Sequence, residues 1–163
     1  KDLILSSNIP LEKLNLQKNE LKEDSLSENL GQILKSKKIT KLNLINSKIK
    51  SFEVFNTFFN NSVMNSGIQV LELSFNFVNL DSITAFVKKS NVLKRLLLQK
   101  IKVEPSAKFD EFAASFVSSL SLESVGISYD YASGGNDKSK IIELFKGLGQ
   151  KKPNIAKKLK IGY

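Results

Sequence analysis

Apolar residues recur along the chain in the spacing L-x-x-L-x-L. The segments "LEKLNL" at 11–16 and "ITKLNL" at 39–44 show it most clearly. Six segments fit, with anchors Leu11/Leu14/Leu16, Ile39/Leu42/Leu44, Ile68/Leu71/Leu73, Leu93/Leu96/Leu98, Leu122/Val125/Ile127 and Ala156/Leu159/Ile161. The middle anchors are 28, 29, 25, 29 and 34 residues apart. Because side chains alternate between the two faces of a strand, the pattern predicts six strands that each bury one face.

A second regularity follows the first five strands. Three residues after the last anchor the chain has Asn19, Ser47, Asn76, Ile101 and Asp130, and two residues further it has Leu21, Ile49, Val78, Val103 and Ala132. A polar side chain at such a turn can bond the backbone groups that lose their partners where a strand ends. Ile101 cannot do so, and we therefore expect the fourth repeat to depart from the pattern.

Amphipathic helices are predicted between the strands. Their apolar stripes are Leu26/Leu30/Ile33/Leu34, Phe52/Phe55/Phe59/Val63, Ile83/Phe86/Val87, Phe109/Phe112/Ala113/Phe116/Val117/Leu120 and Ile141/Ile142/Phe145/Leu148. Ser25 and Glu28 form a capping-box pattern, and Asp81 is the expected N-cap of the third helix. Apolar residues at helical spacing are usually packing residues, so the phenylalanines are predicted to be core rather than a ligand site.

Strand, turn and helix in units of roughly 28 residues resemble the leucine-rich repeat, L-x-x-L-x-L-x-x-N-x-L, of the ribonuclease-inhibitor-like class. The resemblance implies an α/β leucine-rich-repeat solenoid, with a curved parallel sheet on the concave side and helices on the convex side. A doubly wound α/β fold is the alternative. Its buried strands would form continuous apolar runs, whereas "LEKLNL" and "ITKLNL" alternate.

One leucine-rich-repeat domain is expected over residues 1–163. Its repeats are predicted at 11–38, 39–67, 68–91, 92–121 and 122–155, with a last strand at 156–163. Solenoids need capping repeats with a polar outer face, and none is recognisable after the last strand. We therefore expect the domain to be part of a longer chain or a larger assembly.

In this fold class the residues between the leucine anchors point away from the helices and form rows across the sheet. Eight of them are predicted to contact a partner: Lys13, Lys41, Ile45, Val70, Glu72, Arg95, Leu97 and Gln99. The row that contains Ile45 and Gln99 also includes Gln17, Ser74 and Ser128. An apolar centre with a polar rim and an arginine is typical of a protein interface. The alternative is a solvated sheet face without a function, because scattered exposed apolar residues are ordinary.

The amino-acid composition excludes several kinds of chemical site. The chain has no cysteine and no histidine, which excludes disulfides, the usual zinc sites and the usual general base. We predict a non-enzymatic protein with no catalytic residue, metal, cofactor or small-molecule substrate. The segment "SGGNDKS" at 133–139 differs from a phosphate-binding loop because Asp137 occupies a glycine position. Asp110 and Glu111 are interpreted as the favourable acidic start of a helix.

The net charge of +9 comes almost entirely from lysine, and Arg95 is the one arginine. Lysines cluster at Lys35, Lys37 and Lys38 and again in "KKPNIAKKLK" at 151–160. Cations suit helix C-termini, but these clusters could also bind phosphates or an anionic membrane. No apolar run approaches the roughly 20 residues of a membrane span, and no signal peptide is visible.

The predicted function is a protein–protein interaction or scaffold module, as a subunit of a larger complex. Electrostatic binding of RNA or anionic membrane through the lysine clusters is one alternative, and a microbial effector that binds a host protein is another. The absence of cysteine favours a reducing compartment. We expect an intracellular, cytoplasmic location, with a mitochondrial or secreted-effector setting as alternatives.

Overall fold

The computed structural model of the chain describes residues 10–22, 29–36, 38–104, 108–129 and 160–161. Its strands are β1 (Lys13–Asn15), β2 (Lys41–Asn43), β3 (Val70–Glu72), β4 (Phe77–Val78), β5 (Arg95–Val103), β6 (Ser124–Tyr129) and β7 (Lys160–Ile161). Its helices are α1 (Gly31–Ser36), α2 (Phe52–Phe58), α3 (Leu80–Lys89) and α4 (Phe109–Ser118), and a π-helical segment, Phe59–Val63, continues α2. The predicted capping box at 25–28, the turn residues Asp130 and Ala132, the loop at 133–139 and the helix at 138–148 lie outside the described residues.

The strands form one parallel sheet in the order β1-β2-β3-β5-β6-β7, with β4 paired to β5. The middle anchors predicted from sequence are direct partners, from Leu14 through Leu42, Leu71 and Leu96 to Val125. Neighbours in the sheet are therefore neighbours in the sequence. The doubly wound alternative is wrong for this sheet, because that fold reverses its strand order at a switch point.

The leucine anchors and the helical stripes share one hydrophobic core. Phe55 and Phe59 stack with ring centroids 5.0 Å apart, and Phe59 meets the edge of Phe86 on α3 at 5.5 Å. All three rings are almost completely shielded from solvent. The prediction that these phenylalanines are core is confirmed. Edge-to-face and offset ring pairs of this kind add to the free energy of burial.

Three local predictions from the sequence are wrong. Leu120 is 98% exposed rather than core, because α4 ends at Ser118 and the helical spacing no longer applies beyond it. The N-cap of α3 is Asn79, whose Oδ1 accepts the backbone N–H of Ser82 at 2.8 Å, and Asp81 lies within the first turn. Phe52, in the predicted core stripe of the second helix, is only half-buried and lies outside the core.

Asn76 holds two neighbouring turns together, as the sequence pattern predicts. Its Nδ2 donates to the carbonyl oxygens of Leu44 and Leu73 at 2.6 and 3.0 Å. Its Oδ1 accepts the backbone N–H groups of Ser47 and Ile49 at 3.1 and 3.2 Å. One buried side chain thus satisfies backbone groups from two repeats, which would otherwise be buried without partners.

The fourth repeat departs from the pattern at Ile101, also as predicted. With no polar side chain to close the turn, β5 continues as a nine-residue strand to Val103. Its register against β6 shifts between Leu98 and Ile101. Ile101 itself is fully buried, so an apolar side chain replaces the hydrogen-bonded turn with packing.

A left-handed residue recurs at the same position in four successive repeats, in a turn in the first three and within β5 in the fourth. It stands two positions after the last leucine anchor and is Lys18, Asn46, Phe75 or Lys100, with φ of 59°, 51°, 62° and 48° respectively. Left-handed backbone is tolerated by asparagine and glycine, but it is strained for bulky residues. The turn geometry is therefore imposed by the fold, whatever residue occupies the position.

Candidate functional site

The open face of the sheet, which is the face opposite the helices, presents the residues between the leucine anchors. The first row in register is Lys13, Lys41, Val70, Arg95 and Ser124, and the second is Asn15, Asn43, Glu72, Leu97 and Gly126. Lys160 pairs with Gly126 and extends the second row by one strand. The structure thus brings seven of the eight predicted partner-binding residues onto the adjacent strands β1, β2, β3 and β5, and Ile45 lies in the turn after β2.

The predicted residues differ in how far they are exposed. Lys13, Lys41 and Arg95 are exposed, and the other five are half-buried: Ile45, Val70, Glu72, Leu97 and Gln99. The open face therefore has a partly shielded centre and a cationic border. Whether these residues bind a partner stays a prediction.

Ser74 and Ser128 are buried, in contrast to the prediction that they line the open face. Each hydroxyl accepts a backbone N–H of β5, from Gln99 at 3.0 Å for Ser74 and from Lys100 at 2.9 Å for Ser128. These two N–H groups belong to Lys100, whose backbone is left-handed, and to the residue before it. The role of the two serines is structural.

Leu97 and Gly126 form the apolar centre of the open face together with Val70. A Cβ atom on Gly126 would lie 2.6 Å from Cδ2 of Leu97, which is closer than non-bonded carbons approach. The leucine side chain therefore occupies space that only a glycine leaves free. Val70 lies on the neighbouring strand, one row from Leu97.

A shallow depression of about 160 Å³ lies beside this centre. Its lining comes from β1, β2 and β3: Lys13, Leu14, Asn15, Lys41, Leu42, Asn43, Val70 and Glu72. Asn15 and Asn43 are committed to the ends of their own strands, since their Oδ1 atoms accept the backbone N–H groups of Gln17 and Ile45 at 3.1 and 2.9 Å. The remaining polar atoms of this depression belong mainly to the charged residues Lys13, Lys41 and Glu72.

The charged groups of the open face have no ion-pair partners within the described ranges. Glu72 and Arg95 stand in different rows of adjacent strands, and neither forms a salt bridge there; the same is true of Lys13 and Lys41. Exposed, uncompensated charges around an apolar centre are free to pair with a partner's charges.

The lysine cluster at 35–38 borders a different cavity. This cavity of about 400 Å³ is lined by Leu34, Lys35, Lys38, Ile39, Thr40, Asn61, Ser62, Asn65, Ser66 and Gly67. It lies where α1 and the π-helical segment end, so the two cations face the negative ends of helices. Lys37 and the basic segment 151–159 lie outside the described residues.

Glu20 and Glu111 form ion pairs with exposed lysines. The Lys48 ammonium, 3.1 Å from Glu20, holds the pKa of Glu20 below its ordinary value through a hydrogen bond and its charge. Glu111 pairs with Lys108 at 3.4 Å. Within the described part of the chain no three acidic residues lie close enough to share a metal ion, and no helix is long and apolar enough to cross a membrane.

Sequence reasoning missed a cluster at the edge where the strands end. The aromatic edge patch consists of Phe52, Phe75, Phe77, Lys100 and Lys102. The Lys100 ammonium lies 5.5 Å from the ring centre of Phe75, and that of Lys102 lies 5.3 Å from the ring centre of Phe77. The signal was available in the repeat register, because Phe75 and Lys100 share the position two residues after the last anchor.

No protein-family model and no curated protein sequence matches the chain at a significant level. Solved structures do match it. The tropomodulin C-terminal domain of Caenorhabditis elegans aligns over 92% of this chain and 89% of its own length, with a TM-score of 0.63 and 13% identity. Leiomodin-1 actin-binding site 2 aligns over 93% and 88%, with a TM-score of 0.63 and 14% identity. At this identity the similarity establishes a leucine-rich-repeat-like α/β fold.

Proposed function

We propose that the chain is a non-enzymatic protein-interaction module that docks a protein partner on the open face of its sheet. In this proposal the domain is a short solenoid of the ribonuclease-inhibitor-like class, with the open face on its concave side. It acts as an intracellular scaffold subunit of a larger complex.

The proposal rests on the open face, which combines an apolar centre with charged residues that form no salt bridge in the described ranges. Val70 and Leu97 are half-buried in the free chain, so covering them completely would remove further apolar surface from water. Arg95 is exposed beside them, and buried arginines are prominent among the residues that dominate binding energy. The cationic border would select for a partner with complementary acidic groups.

Actin is the first defined protein to test. One structural neighbour is actin-binding site 2 of leiomodin-1, and the alignment covers 88% of its length. Because a fold does not determine a function, actin enters as a candidate and not as an assignment. Co-sedimentation with filamentous actin and gel filtration with monomeric actin each give a direct answer.

The general test is affinity capture with matched variants. Arg95→Glu and Leu97→Ser should weaken partner binding at least about tenfold, as expected for central interface residues. Lys88→Glu makes the same kind of charge change on an exposed position of α3 and should leave binding unchanged. Equal loss in all three variants would contradict docking on the open face.

Salt separates this function from the electrostatic alternative. Phosphate binding through several lysines weakens by orders of magnitude between about 50 and 200 mM salt, whereas a packed protein interface changes little. A captured partner that remains bound at 200 mM salt supports the proposal. Recovery of nucleic acid or lipid that is washed away over the same range would support the lysine clusters instead.

A further inference from the structure

The aromatic edge patch lies outside the open face and has no role in the core. Phe77 is half-buried against Phe52 of α2, with ring centroids 5.1 Å apart, and together they form an apolar floor. Phe75 stands beside this floor with about half of its surface in solvent. Lys100 and Lys102 extend over the two rings from the neighbouring repeat. An aromatic floor with two cations above it is thus presented at the end of the sheet.

The fold does not explain why Phe75 is a phenylalanine. Its backbone is left-handed, which costs about 1–3 kcal/mol for residues other than glycine and asparagine. Asn46, at the same position of the preceding repeat, is a residue type that suits this conformation. The side chain of Phe75 also does not repay the strain by burial. What Phe75 offers is an exposed ring that a short turn holds in place.

The lysines of the patch are available for an acidic partner. Neither Lys100 nor Lys102 has a carboxylate within salt-bridge distance in the described ranges. Lys48 of the second repeat stands at the position of Lys102, four residues after the last anchor. Unlike Lys102, it is paired with a carboxylate, that of Glu20 at 3.1 Å. The positive charge is therefore uncompensated where the rings are, and a cation that stacks on an aromatic ring keeps its capacity to bind carboxylates.

We propose that the aromatic edge patch is a docking site for an acidic protein segment that carries an apolar anchor side chain. The anchor would cover Phe75 and contact the floor of Phe52 and Phe77, and its flanking carboxylates would meet Lys100 and Lys102. The inference rests on the proposed function only in that the partner is a protein. It adds a second contact surface, at the edge of the sheet rather than on the open face.

The arrangement favours a peptide over a nucleic acid. Stacking of successive bases needs several free aromatic faces along a basic groove. Here Phe77 is covered by Lys102 and packed against Phe52, which leaves Phe75 as the exposed ring. The patch contains no arginine, whose planar fork suits phosphate. One exposed ring between two lysines fits one anchor side chain with acidic neighbours.

A defined probe for the site is a capped peptide of eight glutamates with a single central tryptophan. The chain contains no tryptophan, so the emission of the probe reports on the peptide alone. We expect a saturable blue shift with the wild-type chain. A peptide with lysines in place of the glutamates should not bind, and the glutamate peptide with serine in place of tryptophan should compete at least tenfold more weakly.

The decisive variant is Phe75→Gly, because glycine suits the left-handed turn. It should weaken binding of the probe at least tenfold while leaving the melting temperature equal to or above that of the wild type. Phe75→Tyr should keep most of the affinity, and Lys100→Gln combined with Lys102→Gln should lose it. Arg95→Glu, on the open face, should leave binding of the probe within twofold of wild type.

Several results would overturn the inference. Absence of a blue shift with the wild-type chain would do so, as would unchanged affinity in Phe75→Gly. Tighter, Phe75-dependent binding of a thymidine oligonucleotide or of phosphatidylserine vesicles would assign the patch to another class of ligand. A Phe75-dependent dimer in sedimentation would assign it to a second copy. None of these outcomes would alter partner capture through Arg95 and Leu97, so the two proposals fail independently.

Discussion

The segments around Asn76 and Ile101 occupy the same position in successive repeats, but they are built from opposite chemistry. After β3 the buried amide of Asn76 bonds backbone groups of two repeats, and the chain turns before β4. Within β5 the buried Ile101 side chain offers no hydrogen bond, and the strand continues to Val103 with a shifted register against β6. A repeat position can therefore be filled by a polar or an apolar side chain, provided that the backbone groups around it find other partners.

The largest effect is expected from Asn76→Ala. The substitution leaves backbone N–H and C=O groups of two turns buried without partners, at about 1–3 kcal/mol each. We expect a loss of about 3–5 kcal/mol in the free energy of unfolding, measured by urea denaturation. Asn19→Ala is the matched control, because Asn19 makes the same kind of bond in an exposed turn and should cost less than about 1 kcal/mol. A loss below 1 kcal/mol at Asn76 would contradict its role.

A smaller loss of stability is expected when the apolar Ile101 is replaced by asparagine, the residue at this position of the preceding repeat. Ile101→Asn places an amide at a fully buried position where β5 has no turn for it to close, and should cost about 2–3 kcal/mol. Ile101→Val keeps the position apolar and should cost about 0.5–1.5 kcal/mol. Both are measured by denaturant unfolding. If Ile101→Asn were as stable as the wild type, the extended strand would be an interchangeable alternative to the turn.

Glycine at the left-handed position should have the same effect on stability in the third repeat, at Phe75, and in the fourth, at Lys100. Phe75→Gly and Lys100→Gly each relieve backbone strain, while glycine adds about 0.5–1 kcal/mol of unfolded-state entropy. We expect the stability of each variant to be unchanged or raised, by no more than about 1 kcal/mol, in thermal and urea unfolding. A loss above that value at Phe75 would show that its ring packs on the folded chain more than its exposure indicates.

The smallest effect concerns Glu104, which the extended β5 delivers to the start of α3. Its Oε1 accepts the N–H of Leu80 at 3.1 Å, and its buried Oε2 has no hydrogen-bond partner. Burial, assisted by the charge of Asp81, raises the pKa of Glu104 above its ordinary value, although backbone N–H groups of Glu104, Leu80 and Asp81 oppose this.

This raised pKa makes stability depend on pH. The folded state binds the proton more tightly than the unfolded state, so the free energy of unfolding should fall as pH rises from about 4.5 through the folded-state pKa. Glu104→Gln should flatten the stability curve over that window. Glu53→Gln, at an exposed position of α2, is the control and should leave the slope unchanged. An unchanged slope in Glu104→Gln would contradict the assignment.

The sequence predicted the sheet well because its signals are local and repeated. The spacing of leucine anchors gave the strands and their pairing, and the predicted partners Leu42, Leu71 and Leu96 are adjacent in the structure. The departure at Ile101 was also predictable, since an isoleucine cannot make the hydrogen bonds of an asparagine. Each of these inferences needed only the residue type and its position within the repeat.

The errors arose where a pattern was extended past its physical limit. Leu120 fits the helical spacing, but α4 has already ended at Ser118. Asp81 was predicted as the cap because a carboxylate accepts backbone N–H groups, but Asn79, two residues earlier, fills that role. Ser74 is buried and Phe75 is exposed because the backbone of Phe75 is left-handed. The leucine spacing carries no information about φ.

The sequence predicted where the candidate site lies, but not the side-chain contacts within it. The sequence placed the eight open-face residues in rows, and the strand register agrees for six of them: Lys13, Lys41, Val70, Glu72, Arg95 and Leu97. It could not show that Leu97 lies over Gly126, because this contact depends on the separation of two strands. The repeat register could have placed Phe75 beside Lys100, but it carries no information on the exposure of the Phe75 ring, and the aromatic edge patch was missed.

The sequential strand order also bears on how the chain folds. Lys13 pairs with Lys41, Lys41 with Val70 and Val70 with Arg95, so every one of these pairings joins residues in successive repeats. The entropy of loop closure rises only slowly with loop length, and here it is nearly the same for each pairing. None of the strand pairings in the described residues joins the first strand to the last. Folding can therefore nucleate at one pair of repeats, for example at the second and third, which the side chain of Asn76 links.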